Sequence, residues 1–384
     1  MSVRVVVVDD SVVIRRLVVQ VLESDPDFEV VGTAANGRIA LTKIEQLRPD
    51  VITMDVEMPD MDGIQTVREL RKRGIRTPII MFSTLTERGA TATLDALSAG
   101  ASDYVAKPAN MGSVTESLNA VAEQLIPKIR GLLPGRVTAR FTAQGAAQSA
   151  SGPAGSAAST FGASALFQQS KAVVRTDQRR HPIKAVIIGS STGGPEALSK
   201  LVAALTEPLP VPVFIAQHMP ALFTKQLAAR LDRLGPHTVT EAVDGEIARP
   251  GTIYIAPGDW HLTLSASTGN VRCALNQKPP VNFCRPSVDV LFQSAADIYK
   301  GALLSVVLTG MGADGKVGCG RIVDEGGTVV VQDQATSVVW GMPGAVATAG
   351  YAHRIVPLTE VATTIKGIVQ AATAGAVTTM KRGE

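Results

Sequence analysis

The chain opens on a short β-branched run, Arg4 to Val8, that ends in Asp9 and Asp10. From Ser11 the apolar period changes. Val13, Ile14, Leu17, Val18 and Leu22 recur at the spacing of one helix face, which predicts strand, acidic turn and helix. Four further apolar runs, at residues 30–33, 51–54, 79–82 and 103–105, are separated by helical patterns. Alternating strands and helices predict a parallel α/β sheet covered on both faces, whose ligands gather at the carboxyl ends of the strands.

Residues 141–170 interrupt this pattern: they contain no Asp, Glu, Lys or Arg and are dominated by Ala, Gly, Ser and Gln. Such a stretch buries too little apolar surface to offset its ordering entropy, so it predicts an interdomain linker. Beyond it, IKAVIIG, VPVFIAQ, TIYIAPG, LLSVVLTG and GTVVVQD are apolar runs ended by small or polar residues, with helix-like segments between them. They predict a second doubly wound α/β domain. The expected division is a first domain over 1–126, a linker over 127–180 and a second domain over 181–375. A length of 384 residues suits two cores better than one.

Charge and composition narrow the possibilities. The net charge of +3 is mild for this length, and no dense Lys/Arg run with interleaved aromatics occurs, which argues against nucleic acid as a partner. Cys273, Cys284 and Cys319 lack the paired short spacings of a zinc site and are expected to be inert thiols in a reducing compartment. The opening MSVRVVVVDD carries acids directly after its apolar run, unlike a signal peptide. No apolar stretch approaches the ~18 residues of a membrane span. A cytoplasmic protein without membrane insertion is expected.

Asp9, Asp10 and Asp55 all follow predicted strands, as do Ser83 or Thr84 and Lys107. Clustered carboxylates at strand ends can hold Mg²⁺, and a nearby hydroxyl and ammonium can neutralise charge while one carboxylate attacks a phosphoryl group. The joint pattern VVVVDDS, MDVEMPDMDG, PIIMFST and YVAKP resembles the response-regulator receiver family. The resemblance covers about residues 1–125 and implies a flavodoxin-like doubly wound sheet. It makes Asp55 the phospho-acceptor and Asp9, Asp10 and Asp55 the Mg²⁺ ligands. Lys107 becomes the phosphoryl contact, Ser83 the switch hydroxyl and Tyr104 the switch aromatic.

In the second half, KAVII turns through GSSTGG into PEALSKLVAAL. Gly189, Ser191 and Gly193 fit G-x-S-x-G, the spacing that lets a nucleophile turn sharply at a helix start, and they favour Ser191 over Ser190. A phosphate or nucleotide loop is the alternative reading, although neither G-x-G-x-x-G nor G-x-x-x-x-G-K-[ST] is present. Of the five histidines, His218 alone ends an apolar run at the expected functional edge. Asp314, among the glycines after LLSVVLTG, reads in isolation as a turn residue before Gly315, but an aspartate there could also accept the imidazole's ring proton and leave the other nitrogen free for serine.

The blocks IGSSTGGPEAL, AQHMPALFTKQLAARLD, IYIAPGDWHL, RPSVDVLFQSAA, VLTGMGADGKVG and VVWGMPGAVATAG resemble the catalytic domain of the chemotaxis response-regulator protein-glutamate methylesterase family, over about residues 183–370. The resemblance implies Ser191 as nucleophile, His218 as base, Asp314 as its orienting acid and the Met311 amide as oxyanion donor. Ser190 stands where the family has a small non-hydroxyl residue and adds a second hydroxyl to the turn. The implied substrates are γ-glutamyl methyl esters and certain glutamines of methyl-accepting chemoreceptors, and the implied phosphodonor is a chemotaxis histidine kinase. Mg²⁺ belongs to the receiver, and hydrolysis is expected to need no cofactor. The unphosphorylated receiver is expected to lie across the serine site, with phosphorylation of Asp55 weakening that docking. Two rivals stand beside this reading: a receiver-linked, non-catalytic phosphate- or nucleotide-binding module, and a receiver-controlled transcription factor, against which the absence of a helix-turn-helix pattern and basic stripe counts.

Overall fold

A computed structural model of the chain describes residues 2–108, 113–133, 135, 172–176, 181–267 and 269–380; the low-charge stretch 141–170 lies outside them. The first domain runs β1 (Val3–Val8), α1 (Val12–Glu23), β2 (Phe28–Ala34), α2 (Gly37–Leu47), β3 (Val51–Asp55), α3 (Gly63–Lys72), β4 (Ile79–Ser83), α4 (Glu87–Ser98), β5 (Asp103–Ala106) and α5 (Val114–Leu132). Its sheet is parallel in the order β2-β1-β3-β4-β5, the flavodoxin-like arrangement. β1 shows why the sequence folds this way. Val3, Val5 and Val7 enter one core with Leu17, Val18 and Val21 of α1, while Val6 and Val8 enter the core on the opposite face. A strand covered on both sides reads as a continuous β-branched run.

α5 continues through Pro127 to Leu132, so the helix extends beyond residue 126, where the linker was expected to begin. Val121, Leu125 and Ile129 are buried one helical turn apart, and this packing against α1 outweighs the hydrogen bond that the proline removes.

The second domain comprises β6 (Ala185–Ser190), α6 (Gly194–Ala204), β7 (Val213–Gln217), α7 (Ala221–Leu231), β8 (Thr238–Glu241), β9 (Thr252–Ile255), β10 (His261–Ser267), β11 (Asn270–Asn276), α8 (Val288–Tyr299), β12 (Leu303–Val307), α9 (Lys316–Asp324), β13 (Thr328–Gln332), α10 (Met342–Thr348), β14 (Arg354–Val356) and α11 (Leu358–Met380). The five apolar runs become β6, β7, β9, β12 and β13. The sheet adds edge strands β8 and β14 to give the parallel order β14-β13-β12-β6-β7-β9-β8, and β10 and β11 pair as a separate antiparallel hairpin. These elements lack continuous apolar runs because edge and hairpin strands are only partly covered. From β6 the chain moves first toward β7 and β9, then returns to build β12, β13 and β14 on the other side. The resulting topological switch point lies between β6 and β12.

α4 packs against α6 and α7, so the two domains touch. Tyr104 of β5 stacks on Phe223 of α7 with ring centroids 4.7 Å apart. Around this stack Arg230 pairs with Asp95 at 2.7 Å, and Lys225 with Glu87 at 3.2 Å. Among the described residues, no helix is long and apolar enough to cross a membrane.

Candidate active site and phosphorylation site

The strand ends of the first domain bring the predicted acidic residues together. Asp9 and Asp55 are buried, Asp10 is exposed, and one carboxylate oxygen from each lies within 4.8 Å of the others. Lys107 Nζ lies 2.8 Å from Asp55 Oδ2 and 3.1 Å from Asp9 Oδ2. Burial and the charge of Asp9 push Asp55 up to about 6 even against Lys107, and burial also raises Asp9. The site therefore carries more negative charge than its lysine offsets. Hard oxygen donors with uncompensated charge fit Mg²⁺. Lys107 is desolvated, but its two carboxylate partners outweigh that and hold the ammonium above its ordinary range.

Ser83 Oγ donates to the Gly89 carbonyl in the first turn of α4, at 3.0 Å, and so lies against the helix that meets the second domain. Asp103, immediately before Tyr104, accepts a 2.6 Å hydrogen bond from Thr192 Oγ1 of the GSSTGG turn and one of 2.9 Å from Lys128 Nζ.

At the second switch point, β6 ends in the GSSTGG turn. Gly193 has φ +77, and a Cβ there would come within 2.7 Å of Val338. A Cβ at Gly194 would meet Gln217 and Ser190, so both positions require the small residue. Ser190 is fully buried and donates to Gln217 Oε1 at 2.6 Å, which occupies its hydroxyl. Ser191 is partly exposed. Gln217 Nε2 in turn donates to the carbonyls of Ser191 and His218, at 3.0 and 3.2 Å, and fixes both strand ends.

Ser190 pairs with Gln217 across β6 and β7, which sets Ser191 beside His218. The backbone confirms the register: His218 N–H donates to the Ser190 carbonyl at 3.1 Å. His218 Nε2 lies 2.8 Å from Asp314 Oδ2, and because an ionised carboxylate only accepts, Nε2 donates and Nδ1 is the remaining nitrogen. Asp314 also accepts from Val288 N, Asp289 N, Gly315 N, Ser287 Oγ and Asn282 Nδ2, at 2.7 to 3.1 Å. Burial raises this carboxyl, but His218 and these donors outweigh it and hold Asp314 well below the usual carboxylate range. Burial pulls the His218 imidazolium down; Asp314 and the neighbouring Cys284 outweigh it and hold His218 up at about 9.

Two features differ from the simple triad expected from sequence. Among the described residues no hydrogen bond joins Ser191 Oγ to His218, and Nδ1 instead faces Cys284 Sγ at 3.4 Å. Catalytic hydrogen bonds are often unformed before substrate binds. Cys273 and Cys319 are buried, whereas Cys284 is half-buried beside the imidazole. Met311 follows β12 within the GMGAD turn; a Cβ on Gly131 of α5 would approach its Sδ to 3.1 Å, so the first domain reaches this part of the site. His261, passed over in favour of His218, begins β10 and accepts from Ser287 N through Nδ1, a supporting position behind Asp314.

Fold and sites define the class: a receiver domain coupled to a domain of serine-hydrolase type. A model of the response regulator receiver domain matches residues 5–119, and a model of the CheB methylesterase matches residues 186–365. The chain is 56% identical, over 359 residues, to a protein-glutamate methylesterase/protein-glutamine glutaminase of Nocardioides sp., with 94% of this chain and 93% of the relative covered. It is 45% identical to a protein of the same name from Trichodesmium erythraeum, over 94% of this chain and 97% of that one. The crystal structure of the Thermotoga maritima CheB methylesterase catalytic domain is 44% identical with a TM-score of 0.47, covering 49% of this chain and 98% of that one. The chain belongs to the protein-glutamate methylesterase/protein-glutamine glutaminase family.

Proposed function

We propose that the chain is a phosphorylation-controlled serine hydrolase that demethylates γ-glutamyl methyl esters on chemoreceptors and deamidates specific receptor glutamines, in chemotactic adaptation. The observation that carries this reading is the convergence of Ser191, His218 and Asp314 at adjacent strand ends, with His218 Nε2 held by Asp314 at 2.8 Å. Ser191 attacks the ester carbonyl while His218 Nδ1 takes its proton, and the Met311 amide receives the developing oxyanion. Collapse passes that proton to the leaving oxygen and expels methanol. Water, deprotonated by the same imidazole, then releases glutamate from the acyl-enzyme. A glutamine follows the same route once His218 protonates the departing ammonia.

In the receiver, Asp55 accepts a phosphoryl group from a chemotaxis histidine kinase. Asp9, Asp10 and Asp55 would hold Mg²⁺, which supplies charge neutralisation during phosphoryl transfer. Lys107 contacts the phosphoryl oxygens. Phosphorylation draws on Ser83 and Tyr104, whose resting contacts lead to α4 and Phe223, and so weakens the domain contact beside Ser191. A cytoplasmic location follows from partners of this kind.

A serine-reactive fluorophosphonate tests the nucleophile. The adduct is expected on Ser191 by peptide mass mapping; modification of Ser190 alone, or of neither serine, contradicts the assignment.

A further inference from the structure

Val281 and Cys284 exchange backbone hydrogen bonds of 2.9 and 3.1 Å, closing a two-residue turn through Asn282 and Phe283. Both central residues have left-handed backbone, with φ of 53 and 61, as a type I′ turn requires. Phe283 is a residue seldom found there, and its side chain is fully exposed, so its own packing does not hold the conformation. The turn is held from the other side: Asn282 Nδ2 donates to Asp289 Oδ2 at 3.0 Å and to Asp314 Oδ1 at 2.9 Å. The consequence is the placement of Cys284 Sγ 3.4 Å from His218 Nδ1.

We infer that Cys284 and His218 form an inhibitory site for a thiophilic divalent cation of the zinc class, bound through Sγ and Nδ1. Zinc bonds sulfur at about 2.3 Å and imidazole nitrogen at about 2.0–2.1 Å, so two such donors at a tetrahedral angle lie about 3.6 Å apart. The observed separation is close to that span. The other ring nitrogen already donates to Asp314, the carboxylate–histidine arrangement that orients and strengthens a metal-binding imidazole. Donor atoms of His218, Cys284 and Asp314 all lie within 4.8 Å of one another. Binding releases the thiol proton and any proton on Nδ1 to solvent, and solvent fills the remaining positions on the cation. Since Nδ1 is the nitrogen that serves Ser191, a bound cation stops hydrolysis; this consequence rests on the proposed role of His218, whereas the site itself does not.

The full chain, stripped of metal by chelation, is titrated with Co²⁺ or with Zn²⁺ alone. Co²⁺ is expected to give a near-ultraviolet thiolate-to-metal charge-transfer band in the wild type and none in Cys284→Ala, because Cys273 and Cys319 are fully buried. Zn²⁺ is expected to lower ester hydrolysis about 10²-fold, the lower end of what a positioned general base contributes, with recovery on chelation. Cys284→Ala, measured against its own metal-free rate, is insensitive to Zn²⁺. Absence of the thiolate band in the wild type overturns the site, as does equal inhibition of both proteins. A band without inhibition upholds the cation site and removes His218 as the base.

Discussion

Thr192 Oγ1 donates a 2.6 Å hydrogen bond to Asp103 Oδ2, joining the residue after the candidate nucleophile to the residue before the candidate switch aromatic. Both groups are buried, and Lys128 holds the same carboxylate from the receiver side. Thr192→Val removes the donor while keeping the side-chain volume. If this bond helps dock the receiver across the site, the variant raises unphosphorylated ester hydrolysis by about 5- to 150-fold, the range that a 1–3 kcal/mol coupling allows. Turnover measured without phosphodonor checks this, and an unchanged basal rate separates the contact from control.

Asp55→Asn removes the proposed phospho-acceptor and leaves the candidate hydrolase residues untouched. Turnover with acetyl phosphate and Mg²⁺ is expected to stay at its basal level, whereas the wild type rises. Full stimulation of the variant contradicts control through Asp55.

The pH dependence of kcat/KM follows from the position of His218. An imidazolium cannot accept the Ser191 proton, and Asp314 and Cys284 hold this one up at about 9. Metal-free hydrolysis therefore climbs with pH across the neutral range, about tenfold per unit while the base is mostly protonated. A rate that levels off near pH 6.5 indicates an imidazole free of those partners.

His237 supplies a stability test away from the chemistry. Its Nε2 accepts from Leu209 N at 3.0 Å, and burial, aided by the charge of Lys366, lowers its pKa. The unfolded chain then binds more protons than the folded one as pH falls past about 6.5, so acid destabilises the fold until the lower folded value is passed. His237→Gln keeps an acceptor toward Leu209 and removes the titration. Thermal melts from pH 7.5 to 5 are expected to show a smaller loss of Tm in the variant; parallel curves contradict the linkage.

Much of this arrangement is legible in the sequence, for identifiable reasons. Strands buried on both faces leave unbroken apolar runs, and their ends carry Asp9, Asp55, Ser191, His218 and the turn of Asp314. The residues missed are those whose partners come from distant segments. Gln217 reads as the polar end of a strand, yet it clamps Ser190, Ser191 and His218. Asn282 belongs to none of the motifs read from the sequence, yet it bridges Asp289 and Asp314. Cys284 has no spacing signal at all, because its partner imidazole lies at the end of another strand. The edge strands β8 and β14 escaped because short, partly covered strands carry no apolar run, and α5 ran past Pro127 because its packing is tertiary.

The most direct test of receiver-controlled serine hydrolysis is methanol release from methylated receptor fragments by wild type and Ser191→Ala, each with and without acetyl phosphate and Mg²⁺. The wild type alone is expected to release methanol, faster with the phosphodonor. Equal release by both proteins would contradict Ser191 as nucleophile, and no release under any condition would leave the second domain a binding module.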